Sequence, residues 1–503
     1  MEKNAYLLAV DQGTSGTMVA LLDAKARMVD AVDIPVSVST PRYGFVEQDP
    51  QELVRSIREG AQRLMAAHPD KLDALLGVGM ANQGESFLLW NWETGQPVTP
   101  VISWQDGRCE ALCEALAEAG RDGWFHERTG LHLSSEWPAL KLRWLRENDA
   151  ALTRLWDAGQ LAYGQLDAWF LYVLTGGQSY ASDHSTACRS GLYNLHTLAW
   201  DEELIAGFQA GGLRLPTLCD NTARFEGVDL GIGRVLPWVA GGLDQSMALL
   251  GQRCIAPHAA KVTYGTCCAC WMNLGGEAVL DSHLTTSVAW KAGPQPVYAL
   301  AAEGGAAGSI VTWLQRNFQP DWKTSQLSAL AESCGEDSPL LFVPAFNGLG
   351  APYWDTAARG TLFGVTAGTA PAHILRAGLD AVAYTVKDIL GAMPPCGTLV
   401  ADGGMCANDY LMQKQADVLG QPVLCPANRE GTITGVGYLM CLSLGLFRSL
   451  EEIPRSAGDR EIVPQRSDTE AYSRWQRAVE ATIRFYKQRE TVPDRSPGHC
   501  EYN

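Results

Sequence analysis

"LLAVDQGTSGTMVALLD", Leu7 to Asp23, sets an apolar run on either side of a turn built largely of Gly, Ser and Thr, with one carboxylate, Asp11, at its start. Short apolar runs bounded by turn residues read as strands, and a Gly-containing link between two of them reads as a hairpin. Such a turn points backbone N–H groups and hydroxyls into one concavity, a nest that takes a phosphate oxygen. Asp11, at the strand end, is placed to hold a Mg²⁺ ion or a water bound to it. An ordinary tight hairpin also needs glycine for its backbone angles, so the stretch alone leaves both readings open.

Outward from this hairpin, strand-like runs (YLLAV, LLGVGMA, SFLLW) alternate with helical ones (QELVRSIREGAQRLMAA, CEALCEALAEAG). That alternation predicts an α/β fold. Pro50 to Ala67 predicts a helix: Asp49 is a natural N-cap, Pro50 fits the first turn, and Leu53, Ile57, Ala61 and Leu64 share one face. A weaker second copy of the opening pattern, "AAKVTYGTCCACWMNL", runs from Ala259 to Leu274. Two hairpins with Gly-Thr turns suggest two facing domains, 1–248 and 249–490, followed by a loosely held polar tail, 491–503.

The chain has 503 residues, 46% hydrophobic and 19% charged, which suits a soluble globular protein of more than one domain. A net charge of −17 argues against nucleic acid and anionic membrane as partners, since both would be repelled. A small anion such as ATP is not excluded, because it answers to local donors. The apolar stretch Ile433–Phe447 is too short to span a bilayer and reads as a buried helix packed closely on a neighbour. No apolar signal region follows Met1, and the 14 cysteines are scattered, as in a cytoplasmic enzyme with reduced thiols. Within Cys267–Cys270, Cys268 and Cys270 share one strand face with no His or CxxC partner, so structural thiols are expected. The nine histidines show no zinc-hydrolase spacing.

Three more stretches carry chemistry. "VAGGLDQSMALLGQ" puts Asp244 and Gln245 between an apolar run and a helical one, where a carboxylate serves as general base toward a hydroxyl or as a helix cap. "VADGGMCANDYLMQKQADVLG" sets Asp402-Gly403-Gly404 between strand and helix, where glycine lets a flat ligand such as adenine lie against the backbone. "FNGLGAPYWD" is a Gly, Pro and aromatic loop too long for a simple turn.

Together with "GFVEQDP", "MANQGES", "SWQDGR", "AWDEEL", "TYGTCC" and "PAFNGLGAPYWDTAARGTLFG", these stretches resemble the FGGY family of carbohydrate kinases, and among them the glycerol kinases. The resemblance runs in family order to about residue 490. It implies a two-domain actin/hexokinase/Hsp70-like, ribonuclease H-like fold with ATP in the interdomain cleft, Mg²⁺ as cofactor, and a small polyol or sugar as substrate. It implies Asp244 as catalytic base and, with Asp11, as a group near the metal. Thr14, Gly265, Thr266 and Gly308 match phosphate contacts, Gly404 and Asn408 the adenine side, and Gln83, Glu85, Trp104 and Gln245 the substrate side. Homodimers or homotetramers are common in the family.

The chain departs from the glycerol kinases at several points. They carry an arginine where Gly84 stands, a phenylalanine where Ala269 stands, and a tyrosine near Glu136-Trp137. A roomier pocket and a four- to six-carbon substrate are expected, unless Trp137 fills the space and glycerol remains the substrate. Met18 replaces an arginine that reaches the transferred phosphate, leaving Lys141 or Arg108 as candidate cations. A non-catalytic sugar or nucleotide sensor is the competing class. Retention of both Asp11 and Asp244 favours the kinase, since binding alone needs no base. A dinucleotide-binding fold is weaker still, because no G-x-G-x-x-G follows the first strand.

Overall fold

The computed structural model describes residues 5–335, 338–453 and 458–487, so the expected tail 491–503 lies outside the described residues. The chain forms two compact units. The first comprises Met1–Ala260, Trp271–Ala301 and Asn428–Ala457; the second comprises Lys261–Cys270, Ala302–Ala427 and Gly458–Asn503. The chain thus passes between them at five points, whereas the sequence suggested a single division after residue 248.

In the first unit, β1 (Tyr6–Gln12) and β2 (Gly16–Asp23) form the opening hairpin, and β3 (Met28–Pro35) continues it antiparallel. With β4 (Leu75–Asn82), β5 (Phe225–Asp229) and β6 (Val235–Leu243) they make a six-stranded sheet in the order β5-β6-β4-β1-β2-β3. The central strands β1, β4 and β6 are parallel and almost wholly buried, as strands covered on both faces must be. Helix α1 (Pro50–Ala67) covers β2 and β3. It starts where expected, with the Asp49 carboxylate accepting from Gln51 N at 2.8 Å, and its predicted face Leu53, Ile57, Ala61 and Leu64 is fully buried.

The apolar stretch near residue 433 forms the helix Gly431–Ser443, which packs against α2 (Asp244–Gly251). Glycine makes this approach possible. A Cβ on Gly251 would lie 1.8 Å from the carbonyl oxygen of Gly431, and one on Gly435 would lie 1.9 Å from that of Met247. Two backbones touch here, so no side-chain rotation can relieve an added methyl.

A second sheet orders its strands β9 (Thr285–Lys291), β10 (Pro296–Ala306), β8 (Cys267–Gly275), β7 (Ala259–Tyr264), β11 (Thr398–Asp402), β12 (Val423–Cys425) and β13 (Arg460–Ile462). In the second unit, helices α3 (Gly308–Asn317), α4 (Pro371–Gly391), α5 (Asp409–Leu419) and α6 (Thr469–Lys487) complete the part that concerns function. Cys268 and Cys270 are buried on one face of β8, and all thirteen cysteines among the described residues are free thiols. No helix among the described residues is long and apolar enough to cross a membrane.

Gly251→Ala is expected to destabilise the protein by at least about 1–3 kcal/mol, the usual cost of overpacking. Gly123→Ala, in a helix with nothing within 4 Å of the new methyl, should be neutral or slightly stabilising. Thermal unfolding of the two variants checks this. Equal midpoints would contradict the close helix contact.

Candidate functional site

Strand register builds the site in the first unit. Asp11 and Gln12 of β1 sit level with Ala81 and Asn82 of β4, which sit level with Gly242 and Leu243 of β6. Three parallel strands therefore end at one edge, and the residues that follow, Gln83 to Glu85 and Asp244 to Gln245, leave from it together. Carboxyl ends of parallel strands are where open α/β sheets hold ligands.

The Asp11 carboxyl is pushed up to about 7, first by burial and then by the Glu430 carboxylate, with Asp33 adding to it and a hydrogen bond with Thr432 opposing. Glu430 and Thr432 lie more than 400 residues away in sequence, so nothing local to the hairpin announces them. Crowded carboxylates of this kind fit a divalent cation, which relieves their repulsion. Among the described residues no three His, Cys, Asp or Glu side chains form a complete metal cage, so an ion here would draw its remaining ligands from phosphate and water, as Mg²⁺ does.

Thr14 sits in a hydrogen-bonded web. Its hydroxyl accepts from Trp104 Nε1 at 2.9 Å and donates to Gln83 Oε1 at 3.3 Å, while its carbonyl accepts from Gln48 Nε2. Gln83, 2% exposed, donates to Gln12 and Gln48 and accepts also from Ser86. Its amide is spent within the protein. Trp104 is fixed at both ends, its backbone N–H donating to Ser86 Oγ.

Asp244 opens α2 as its first residue rather than capping it; the cap position is Leu243. Its carboxylate accepts from the Gln245 N–H at 2.5 Å. Beside it, Leu243 Cδ1 lies 1.9 Å from where a Cβ on Gly84 would be. The room expected at Gly84 is therefore occupied by leucine. Trp137 is buried too, its indole N–H donating to the His132 carbonyl at 2.6 Å.

Glu85 has a partner that sequence reading missed. Arg189 donates to it from Nε at 2.7 Å and to Ser287 Oγ at 3.1 Å, with its guanidinium 4.6 Å from the Trp137 ring centre and 5.8 Å from that of Trp271. Burial works against its charge, but Glu85, with help from Cys188 and Glu136, holds the pKa above the ordinary value. One signal was available: a lone arginine among the small residues of "STACRSGL".

Neither cation considered as a stand-in for the arginine lost at Met18 is available. Lys141 is fully buried and donates to the carbonyls of Ser103, Trp104 and Glu136; burial brings its pKa down to about 8 despite Cys109 and Asp106. Arg108 is clamped by Asp106 and Glu47, each at 2.7 Å, and lies over Phe45.

In the second unit the predicted glycines converge. Gly308 N–H donates to the Gly265 carbonyl at 2.9 Å, and the N–H groups of Ala307 and Ser309 donate to the Thr266 carbonyl. A Cβ on Gly308 would stand 2.7 Å from the Gly265 oxygen, and one on Gly403 (φ 91°) would stand 2.5 Å from the Tyr264 oxygen. A Cβ on Gly404 would meet nothing within 4 Å, so its backbone is open to a flat group. Asn408 caps α5, accepting from Leu411 N–H and Ser328 Oγ.

The first unit thus carries a parallel-stranded edge with two carboxylates, and the second a glycine-walled turn. Comparison with known proteins makes this specific. Residues 6–251 match the N-terminal domain of the FGGY family of carbohydrate kinases, and residues 260–444 match its C-terminal domain. The chain is 36% identical over 497 residues to a glycerol kinase of Xanthomonas euvesicatoria pv. vesicatoria, covering 96% of this chain and 99% of that one. It is 38% identical over 500 residues to one of Delftia acidovorans, covering 95% and 99%. The structure of Plasmodium falciparum glycerol kinase with ADP is similar with a TM-score of 0.90 at 28% identity, covering 95% of this chain and 98% of that one. A gluconate kinase from Lactobacillus acidophilus shares the fold, with a TM-score of 0.87 at 20% identity over 96% and 99%. The chain belongs to the FGGY family of carbohydrate kinases. It is an enzyme that phosphorylates a hydroxyl of a small polyol or sugar with ATP.

The buried Glu85–Arg189 pair predicts asymmetric mutational costs. Arg189→Met strands a carboxylate and is expected to cost about 3–5 kcal/mol, whereas removing both charges in Glu85→Gln/Arg189→Met should cost less. Thermal unfolding of the single and double variants tests this. A double variant no more stable than Arg189→Met would contradict the pairing.

Proposed function

We propose that the acceptor is a polyol or ketose longer than glycerol, of four to six carbons, bound at the strand edge of the first unit and deprotonated by Asp244. The observation that carries this reading is Leu243 filling the space at Gly84. Glycerol kinases, by resemblance, place an arginine donor for two hydroxyls there. With Leu243 in that place no side-chain donor stands at Gly84, so an acceptor with carbon rather than a hydroxyl at that point fits better. The distinction from glycerol is one of polarity at this wall, with Ala269 as the remaining ground for added length.

In this reading Glu85 accepts from acceptor hydroxyls and Arg189 holds its carboxylate in place. Trp104 and Gln245 line the acceptor, while Gln83 holds Thr14 and Trp104 in position. Asp244 takes the hydroxyl proton as the new O–P bond forms; the bond from the γ-phosphorus to the bridging oxygen breaks, and ADP leaves with that electron pair. Thr14 and the Thr266 turn meet the phosphates, Gly265 and Gly308 close that turn through the Gly308 N–H bond to the Gly265 carbonyl, and Gly404 and Asn408 flank the adenine. Mg²⁺, held through Asp11 with Asp244 nearby, neutralises phosphate charge when bound. The free thiols among the described residues support a reducing, cytoplasmic setting.

Glycerol itself is the second reading, favoured by the buried Trp137, which takes up space near the missing tyrosine. ADP release with Mg·ATP across glycerol, tetritols, pentitols and ketopentoses separates the two. We expect kcat/KM on one longer acceptor to exceed that on glycerol at least tenfold. Highest efficiency on glycerol would overturn the longer acceptor. ATP and sugar binding without turnover on any member would support a sensor instead.

A further inference from the structure

The second unit holds a cavity of about 210 Å³ that none of the chemistry above uses. It lies between α4, α6, the Lys414 turn of α5 and two loop segments, 338–341 and 466–468. Four cations, Arg376, Lys414, Arg466 and Arg474, and two carboxylates, Asp380 and Asp468, line it. The surplus is positive, in a chain whose net charge is −17.

The charges are unevenly matched. Both carboxylates engage Lys414, Asp380 at 3.4 Å and Asp468 more closely. Arg466 pairs with Asp417 at 3.2 Å. Arg376 and Arg474 have no carboxylate within ion-pair distance among the described residues. Arg376 is only 8% exposed, yet its one hydrogen bond among the described residues is a long one, Nη1 to the Ala331 carbonyl at 3.4 Å, with Tyr410 beneath its guanidinium. Arg474 likewise makes one bond among the described residues, of 3.4 Å, to the Pro339 carbonyl. A guanidinium has five N–H donors, so most of those on Arg376 and Arg474 have no acceptor among the described residues. Both side chains line the cavity, so an acceptor from outside the chain that enters it would satisfy these donors.

We propose that this cavity is a second anion site, separate from the catalytic residues, which binds a small phosphate-bearing molecule between Arg376 and Arg474. Planar guanidinium forks match phosphate oxygens two at a time. The volume is several times that of one water, which leaves room for a short carbon chain beside a phosphate. Inorganic phosphate and a phosphorylated polyol share the chemistry the site reads.

Calorimetric titration of the wild-type protein and Arg474→Gln, at constant ionic strength, tests the site with inorganic phosphate and with glycerol 3-phosphate as separate probes. We expect at least one probe to bind the wild type with an affinity that Arg474→Gln weakens tenfold or more, while the variant keeps kcat and acceptor KM within twofold. Binding of inorganic phosphate would identify the free ion as sufficient; binding of glycerol 3-phosphate alone would assign the site to a phosphoester. Arg376→Gln should weaken the same binding event, and its thermal unfolding reports whether it folds. Equal affinities in the wild type and Arg474→Gln for both probes, or no binding by either, would overturn the proposal.

Discussion

The register of three parallel strands is the constraint on which the catalytic half depends. With β1, β4 and β6 level at Gln12, Asn82 and Leu243, the next residues of each strand emerge side by side. A slip of one residue in any strand would turn Asp11 or the approach to Asp244 to the opposite face. Register is held by burial: the inward residues Leu8, Val10, Val78 and Met80 have essentially no exposure and belong to one core cluster with the buried face of α1. The carboxylates are thereby placed by apolar packing far more than by their own hydrogen bonds.

The two units answer the same chemical need by different means. A chain of net charge −17 cannot attract a nucleotide by its overall field, so local donors must do so. In the proposed reading the second unit supplies them from the Thr266 turn, closed by glycines pressed against Gly265 and Tyr264. In the first they come from a hydroxyl-bearing hairpin whose Thr14 is locked by Trp104 and Gln83. Met18 is instructive here: the candidate cations Lys141 and Arg108 are consumed in holding the Trp104 segment and in pairing with Asp106 and Glu47.

Elements with strong local signals were legible. The helix from Pro50 to Ala67, the two glycine hairpins, the buried helix near residue 433 and the α/β class all follow from periodicity and turn residues. The family was legible from motifs in order. What escaped was long-range: Glu430 beside Asp11, Arg189 behind Glu85, and Leu243 filling the void at Gly84. Each is a tertiary contact between segments whose local patterns carry no trace of one another. The expected pocket at Gly84 shows the limit best, since a missing side chain is read from one position but the space it leaves belongs to its neighbours. The repeated passage of the chain between the two units is of the same kind, for composition does not change at residues 260, 301 or 427.

The claim that Asp244 is the base, and not merely a binding group, is tested most directly by comparing chemistry with affinity in Asp244→Asn. Single-turnover phosphoryl transfer and acceptor binding by calorimetry should be measured on the same preparation. The account predicts a fall of about 10²–10⁴ in the transfer rate, with the acceptor dissociation constant changed by no more than a few-fold. A transfer rate within tenfold of the wild type, or a loss confined to acceptor affinity, would contradict it.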